Sequence, residues 1–345
     1  MGAGSGRAPE EERSREGPEQ GRARDEGAPG GRPGAGDDGA PVLVALRGLG
    51  LGDLLTAVPA LRALRRAHPA HRIVLAAPAS LAGLVPLIGA VDELLDVSGT
   101  GPVPADRPDT AVNLHGRGPQ SIAALRRTRP RRLLTHAHPG FPGAQGPPWR
   151  CDVHETVRWC AFLEWYGIAA DPADLALPPP PSETTGHVIV HPGAASTARR
   201  WPPERFARVA AALGRTGRRV LVTGSAAERD LGRKVAALAG MPDASVLAGR
   251  TDVGELAALV GSARLVVCGD TGVAHLAAAF ATPSVVLFGP VAPALWGPPA
   301  AGPHLALWAG RRGDPHGCRP DPGLLEIGVR EVLDAVGDLL EVSVR

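Results

Sequence analysis

The stretch Val42-Leu43-Val44-Ala45-Leu46-Arg47-Gly48-Leu49-Gly50-Leu51-Gly52-Asp53 sets the fold class. Its first five residues are an unbroken apolar run of strand length, as expected for a strand covered on both faces. The glycines at 48, 50 and 52 allow a tight turn and close approach of backbone to a ligand. Beyond them, Leu54, Leu55, Val58, Leu61 and Leu64 recur at helical spacing, which predicts a helix over Asp53–Ala67. A strand, a glycine loop and a helix in that order form the repeating unit of a parallel, doubly wound α/β sheet.

The same alternation continues along the chain. Strands are predicted at Arg72–Ala77, Glu93–Val97, Thr110–Asn113 and Arg131–Leu134, with helices at Ser80–Ile88, Gln120–Arg127 and Val153–Tyr166. Asp171–Gly186 holds four consecutive prolines, Pro178 to Pro181, and reads as a stiff extended linker. Strands then resume at His187–Val190, Arg219–Thr223, Ser245–Leu247, Arg264–Cys268 and Ser284–Phe288. The helices between them are Pro203–Gly214, Ala226–Ala239, Val253–Val260 and Thr271–Phe280, with Glu331–Leu340 closing the chain. The expected organisation is a tail over 1–40, an N-terminal Rossmann-like domain over 41–170, a linker over 171–186 and a C-terminal Rossmann-like domain over 187–345. The last helix can return onto the N-terminal domain. Ligands of such sheets bind beyond the carboxyl ends of the strands, so both sets of strand ends should face one central cleft.

Composition excludes several classes. The chain has 345 residues and a formal net charge of +2. Positions 1–40 contain no Leu, Ile, Val, Phe, Trp or Tyr, and cannot offset their ordering entropy by burial, so a disordered tail is expected. That tail carries six Arg against nine Asp and Glu, which leaves the body mildly basic. No basic stripe is present, and aromatics are 3%, so nucleic acid is not an expected partner. The four cysteines form no C-x-x-C pair, which disfavours a zinc ribbon or redox pair. The N-terminus has no apolar run and position 6 is Gly, so neither a secretory signal nor a myristoylation pattern is read; the expected location is the cytoplasm. Ile73–Val91 is uncharged, but Pro78, Gly83, Pro86 and Gly89 make it a strand, a turn and a short helix, not a membrane span.

Three strand-to-helix loops carry the chemistry. The first is the glycine loop quoted above. It lacks the dinucleotide spacing, and no Asp or Glu occurs from Leu54 to Val91 to hold a ribose, so a nicotinamide dehydrogenase is disfavoured. Spacing alone leaves Asp53 two roles, a helix N-cap or a general base at the cleft. The second loop runs from His191 to Pro202 and offers small residues, two hydroxyls and the guanidiniums of Arg199 and Arg200. It reads equally well as a phosphate cradle or as a polar surface loop over Trp201. The third, Gly269-Asp270-Thr271-Gly272-Val273-Ala274-His275, opens a helix whose N-terminal N–H groups suit a diphosphate. Asp270 is the expected N-cap there, and Thr271 and His275 share a helix face. Elsewhere, Arg126–Arg132 holds five arginines and reads as a solvated face that an anionic acceptor or a membrane surface could use. His136, His138 and His154 lack partners at metal-ligand spacing, and no metal site is expected.

Together these loops resemble the family 9 glycosyltransferases, the ADP-heptose:lipopolysaccharide heptosyltransferase family. The resemblance rests on Val42 through Asp53 with Pro59-Ala60-Leu61 and Pro69, on His191-Pro192-Gly193 to Arg200-Trp201-Pro202, and on Thr223-Gly224 with Glu228. It is most specific at Asp270-Thr271-Gly272 with His275, Ala278, Pro283 and Phe288-Gly289-Pro290, and it extends to Cys318–Val332. It implies a GT-B architecture and an inverting, metal-independent transfer of heptose from ADP-heptose to a glycolipid or glycan hydroxyl. By that resemblance Asp53 is the general base. Gly52, Gly193, Ala194, Ala195, Ser196, Arg199, Thr271, Gly272 and Val273 hold the donor diphosphate, Glu228 contacts the nucleoside, and Asp270 and His275 support the site. No cofactor beyond the donor is implied, and peripheral contact with the inner face of the membrane is expected of such an acceptor. One departure is visible: the family usually has Lys where Arg199 stands. Two alternatives keep the fold: a transferase using another nucleotide sugar on a different glycan or natural product, or a non-catalytic sugar-nucleotide-binding protein.

Overall fold

Residues 39–342 are described by a computed structural model. The tail expected over 1–40 therefore lies almost wholly outside the described residues. The N-terminal half contains β1 (Val42–Leu46), α1 (Leu51–Thr56), α2 (Val58–Ala67), β2 (Arg72–Ala77), α3 (Val85–Ile88), β3 (Glu93–Asp96), β4 (Thr110–Asn113), α4 (Gln120–Arg127), β5 (Arg132–Leu134) and α5 (Glu155–Trp165). The C-terminal half contains β6 (Val188–His191), α6 (Pro203–Arg215), β7 (Val220–Val222), α7 (Arg229–Leu238), α8 (Val253–Ser262), β8 (Leu265–Gly269), α9 (Gly272–Ala279), β9 (Ser284–Phe288), α10 (Pro293–Trp296), β10 (His304–Trp308), α11 (Pro322–Glu326) and α12 (Val329–Val342).

Each half builds a five-stranded sheet, ordered β3-β2-β1-β4-β5 in one and β10-β9-β8-β6-β7 in the other, with every pairing parallel. Both orders are doubly wound, and each reverses direction once. The reversal falls between β1 and β4 in the first sheet and between β6 and β8 in the second. At such switch points the adjacent loops diverge and leave a crevice. The first loop follows β1, while the second and third follow β6 and β8. All three therefore emerge at switch points.

β1 is buried at every position, as a central strand with helices on both faces must be. The helix expected over Asp53–Ala67 is two helices. Pro59 has no N–H to continue the α-helical ladder, so the turn closes at Ala57 and α2 restarts with Leu61 N bonded to the Ala57 carbonyl. Ser80–Ile88 likewise begins as a 3-10 turn over Ala79–Leu84 before Pro86 enters α3, and Ala226–Ala239 begins with a 3-10 turn over Ala226–Glu228. Ser245–Leu247 forms no strand; a single bridge joins Val246 to Val222 beside a 3-10 turn at Asp243–Ser245. β10 has no clear sequence signal because it is a half-exposed edge strand, and α10 and α11 are single turns opening at prolines.

The largest apolar cluster crosses between the halves, joining Leu54, Leu61 and Trp159 to Val273, Leu276 and Phe288. A second cluster lies under α6 and α12. There Val332, Val336 and Leu339 pack with Trp201, Phe206 and Leu287, so α12 caps the C-terminal sheet and does not return onto the N-terminal half. The proline-rich stretch runs along the C-terminal half: Leu177 N donates to the Ala279 carbonyl, and Pro179 lies against Gly261. Among the described residues no helix is long and apolar enough to cross a membrane.

Candidate active site

Asp53 occupies the third position of α1. Gly50 is the N-cap, with no side-chain cap bond, so the capping role for Asp53 is set aside. Its carboxylate instead lies 30% exposed at the cleft, with Oδ1 3.5 Å from Nη2 of the buried Arg47. The turn preceding it is tight because the Gly48 carbonyl accepts from the N–H of Gly99, which anchors the glycine loop to the loop after β3. Gly52 and Gly272 let α1 and α9 meet end to end. A Cβ on Gly52 would lie 2.8 Å from the His275 ring, and one on Gly272 would lie 2.8 Å from the Leu51 side chain.

The third loop places the first N–H groups of α9 at the cleft. The N-cap is Thr271, not Asp270, and it makes no side-chain cap bond. The N–H groups of Gly272 and Val273 are among those a helix leaves without an internal acceptor, and the positive end of its dipole lies there. Asp270 instead turns inward. It is 4% exposed and its Oδ2 lies 3.3 Å from Arg199 Nη1. Burial pushes the Asp270 carboxyl up, and the Arg199 cation partly opposes this. His275, next on the same helix, packs edge-on against Trp296 at 5.9 Å. Burial, then the charges of His154, Arg199 and Arg47, push its pKa down to about 4, so it is neutral at physiological pH.

The second loop wraps over the ends of β6 and β8. Ser196 donates its hydroxyl to the Pro315 carbonyl at 2.6 Å, and Ala198 N donates to the Gly317 carbonyl, so this loop is braced by the segment around Pro315. Arg200 turns back to hold the Ala194 carbonyl with Nε and Nη2 at 3.0 and 2.8 Å. Beneath it, His191 Nδ1 pairs with Thr223 Oγ1 at 2.9 Å, and burial pushes the imidazole down to about 4. Glu228 closes the 3-10 turn before α7, its Oε2 accepting from both the N–H and the hydroxyl of Ser225. Its carboxylate packs directly over Gly193, leaving no space for a side chain there.

These groups surround one cleft of about 630 Å³ between the two halves. The structure brings Gly52 and Asp53 from one side together with Ala195, Ser196, Arg199, Glu228, Asp270, Thr271, Gly272, Val273 and His275 from the other. Gly193 and Ala194 stand behind that lining, one under Glu228 and the other under Arg200. Residues not singled out from sequence also face the cleft: His191, Ser225, Asp252, Trp296 and His316. His191 lies within a quoted loop, but nothing in its spacing distinguishes it from strand packing. His316 arrives from far along the chain, a placement that residue order does not reveal. Among the described residues no group of three or more His, Cys, Asp or Glu is placed to hold a metal ion.

Residues 166–311 match the model of glycosyltransferase family 9 (heptosyltransferase). The match covers less than half of the chain, which is thus similar to glycosyltransferase family 9 over that stretch. That match holds the second and third loops, while the loop bearing Asp53 lies outside it. Among curated proteins, the chain is 35% identical over 99 residues to lipopolysaccharide heptosyltransferase 2 of Salmonella typhimurium, covering 28% of each. It is 37% identical over 111 residues to lipopolysaccharide heptosyltransferase 1 of Pseudomonas aeruginosa, covering 32% of this chain and 30% of the relative. These two sequence matches thus span about a third or less of the relatives' length. Whole-fold likeness is broader. A family 9 glycosyltransferase from Veillonella parvula superposes with TM-score 0.72 at 22% identity, over 87% of this chain and 97% of that one. The ADP-heptose LPS heptosyltransferase II of E. coli superposes with TM-score 0.72 at 18% identity, over 88% and 100%. At such identities the likeness establishes the fold: two Rossmann-like sheets about a cleft, the GT-B architecture.

Proposed function

We propose that this protein is a family 9 inverting glycosyltransferase that moves a heptose from ADP-heptose to a hydroxyl of a glycolipid or glycan acceptor, without a metal ion. One observation carries the reading. An uncapped carboxylate from the N-terminal half and an anion-ready helix N-terminus with Arg199 from the C-terminal half line the same cleft. Residues 41–170 would then receive the acceptor and residues 187–345 the donor, joined by 171–186.

The chemistry follows from the placement. The acceptor oxygen attacks the anomeric carbon while the bond to the diphosphate breaks, and Asp53 takes the hydroxyl proton. A positioned base of this kind contributes about 10²–10⁴ in rate. Negative charge grows on the leaving diphosphate. In this reading the N–H groups of Gly272 and Val273, the dipole of α9 and the Arg199 guanidinium, all lining the cleft, would stabilise that charge. Glu228 and Ser225 border the same cleft, as a contact to the nucleoside requires. The donor is read as ADP-heptose because relatives carry that chemistry in their names, the E. coli ADP-heptose LPS heptosyltransferase II among them.

Calorimetric titration of ADP, UDP, GDP and dTDP into wild type and Asp53→Asn tests the reading. The expected result is selective ADP binding in both proteins, with turnover of ADP-heptose lost only in the variant and unchanged by chelator in wild type. Preference for another nucleotide would discard the heptose donor, and binding of none would overturn the donor site.

A further inference from the structure

Arg47 is the only charged residue among the largest fully buried side chains of the described chain. It stands at the start of the glycine loop, and its guanidinium is shared among several segments. Nε donates to the Asp53 carbonyl at 2.8 Å, and Nη1 donates to the Leu114 carbonyl, just past β4, at 2.6 Å. Nη2 reaches Thr56 Oγ1 on α1 at 3.2 Å and Glu155 Oε1 on α5 at 3.1 Å, besides lying 3.5 Å from the Asp53 carboxylate. Thr56 donates its hydroxyl to the same Asp53 carbonyl at 2.9 Å. Glu155 is itself buried and held by Trp159 Nε1 at 2.8 Å and by Arg158. The Trp159 ring covers the guanidinium at 4.9 Å.

A buried ion pair is costly to desolvate, and well-packed apolar residues often serve stability equally well. Here three of the four hydrogen bonds of the cation go to the segment that carries Asp53 or to the partner that neutralises it, and the fourth ties that segment to the end of β4. We propose that the buried Arg47–Glu155 pair is a positioning device for Asp53, with Arg47 fixing the first turn of α1 and so the aim of the carboxylate, and Glu155 supplying the counter-charge that keeps Arg47 buried. The inference rests on the reading of Asp53 as the base. Arg47 retains its charge at neutral pH, since burial lowers its pKa only to about 10. None of its hydrogen bonds goes to the N-terminus of α9 or to Arg199, so its loss should act on the chemical step and spare donor binding.

The test compares Arg47→Met, Glu155→Gln and the double variant Arg47→Met/Glu155→Gln. Arg47→Met leaves Glu155 its Arg158 partner, whereas Glu155→Gln takes the counter-charge from both Arg47 and Arg158. Glu155→Gln is therefore expected to lower the melting temperature more, and the double change to recover part of that loss by removing the Arg47 charge. The folded double variant should bind ADP within about twofold of wild type by calorimetry, keep its donor KM, and lose about 10- to 100-fold in kcat, as a small misplacement of a base does. Wild-type kcat in the double variant would make the pair merely structural and overturn the inference, as would loss of ADP binding. If the double variant does not fold, Arg47→Lys decides. A lysine keeps the charge but cannot bridge the same set of acceptors, so kcat should fall with KM unchanged, and wild-type kcat would overturn the proposal. Full turnover in Asp53→Asn would instead remove the reading of Asp53 as base, a separate failure from that of Arg47.

Discussion

Arg199 and Asp270 tie the second loop to the third, with Nη1 and Oδ2 at 3.3 Å, yet Arg199 Nε and Asp270 Oδ2 are buried without a hydrogen-bond partner. The two groups meet as charges but do not satisfy one another. Arg199 lines the cleft with its side chain 25% exposed, while Asp270 restrains it from behind. We expect Arg199→Ala to weaken ADP binding by about 10- to 100-fold, the range for a charge-assisted phosphate contact, and also to lower stability because Asp270 is left buried and unpaired. Asp270→Asn should cost less than about tenfold in affinity, because the donor itself remains. Calorimetry and thermal melts on both variants check the order of the two losses.

The end-to-end contact of α1 with α9 makes a second prediction. A Cβ on Gly272 would meet Leu51 Cβ and Cγ, both at 2.8 Å. Gly272→Ala should therefore destabilise the fold by about 1–3 kcal/mol, as overpacking does. Adding Leu51→Ala should recover only the part of that loss due to Cγ and Cδ2, since alanine keeps the Cβ that stands at 2.8 Å. Chemical denaturation of the two single variants and the double variant measures the coupling.

Glu228 packs over Gly193, and one Cβ there would displace it. Gly193→Ala and Glu228→Ala are therefore expected to act alike, each raising the ADP dissociation constant by about tenfold, the size of one lost hydrogen bond to a charged group. Because the two changes remove the same contact, the double variant should be no worse than either alone. Additive losses on titration would contradict this.

Stability should fall as the solution is acidified through the histidine range. His191 and His275 are both pushed down to about 4 in the folded state, chiefly by burial, against 6.5 in an exposed imidazole. Between those values the unfolded chain binds the extra protons. The contribution of each histidine is thus fully present above pH 6.5 and is lost as pH falls toward 4. Melting temperatures from about pH 8 to 4 should decline across this window, and His275→Asn should flatten the decline.

Local and periodic features of this protein are legible in residue order alone. The apolar runs mark β1, β2, β4 and β9 to the residue, because a strand buried in a parallel sheet is apolar through its interior, with polar residues such as Arg72, Thr110, Asn113 and Ser284 only at its ends. The glycine loop and the helix-opening loops show where backbone can approach a ligand. Breaks inside helices are less legible. At Ala57 the spacing of Leu54, Val58, Leu61 and Leu64 runs straight through the interruption that Pro59 imposes. Capping is ambiguous at Asp53 and Asp270, because a carboxylate at a helix start fits the cap pattern whether or not its backbone is in place to make the bond. Through-space partners settle what those carboxylates do: Asp53 sits beside Arg47 at the cleft, and Asp270 turns inward against Arg199. The edge strand β10, the approach of His316 and the docking of α12 on the C-terminal sheet are likewise products of packing. Each depends on which distant apolar or polar surface is left to cover, and no local period records that.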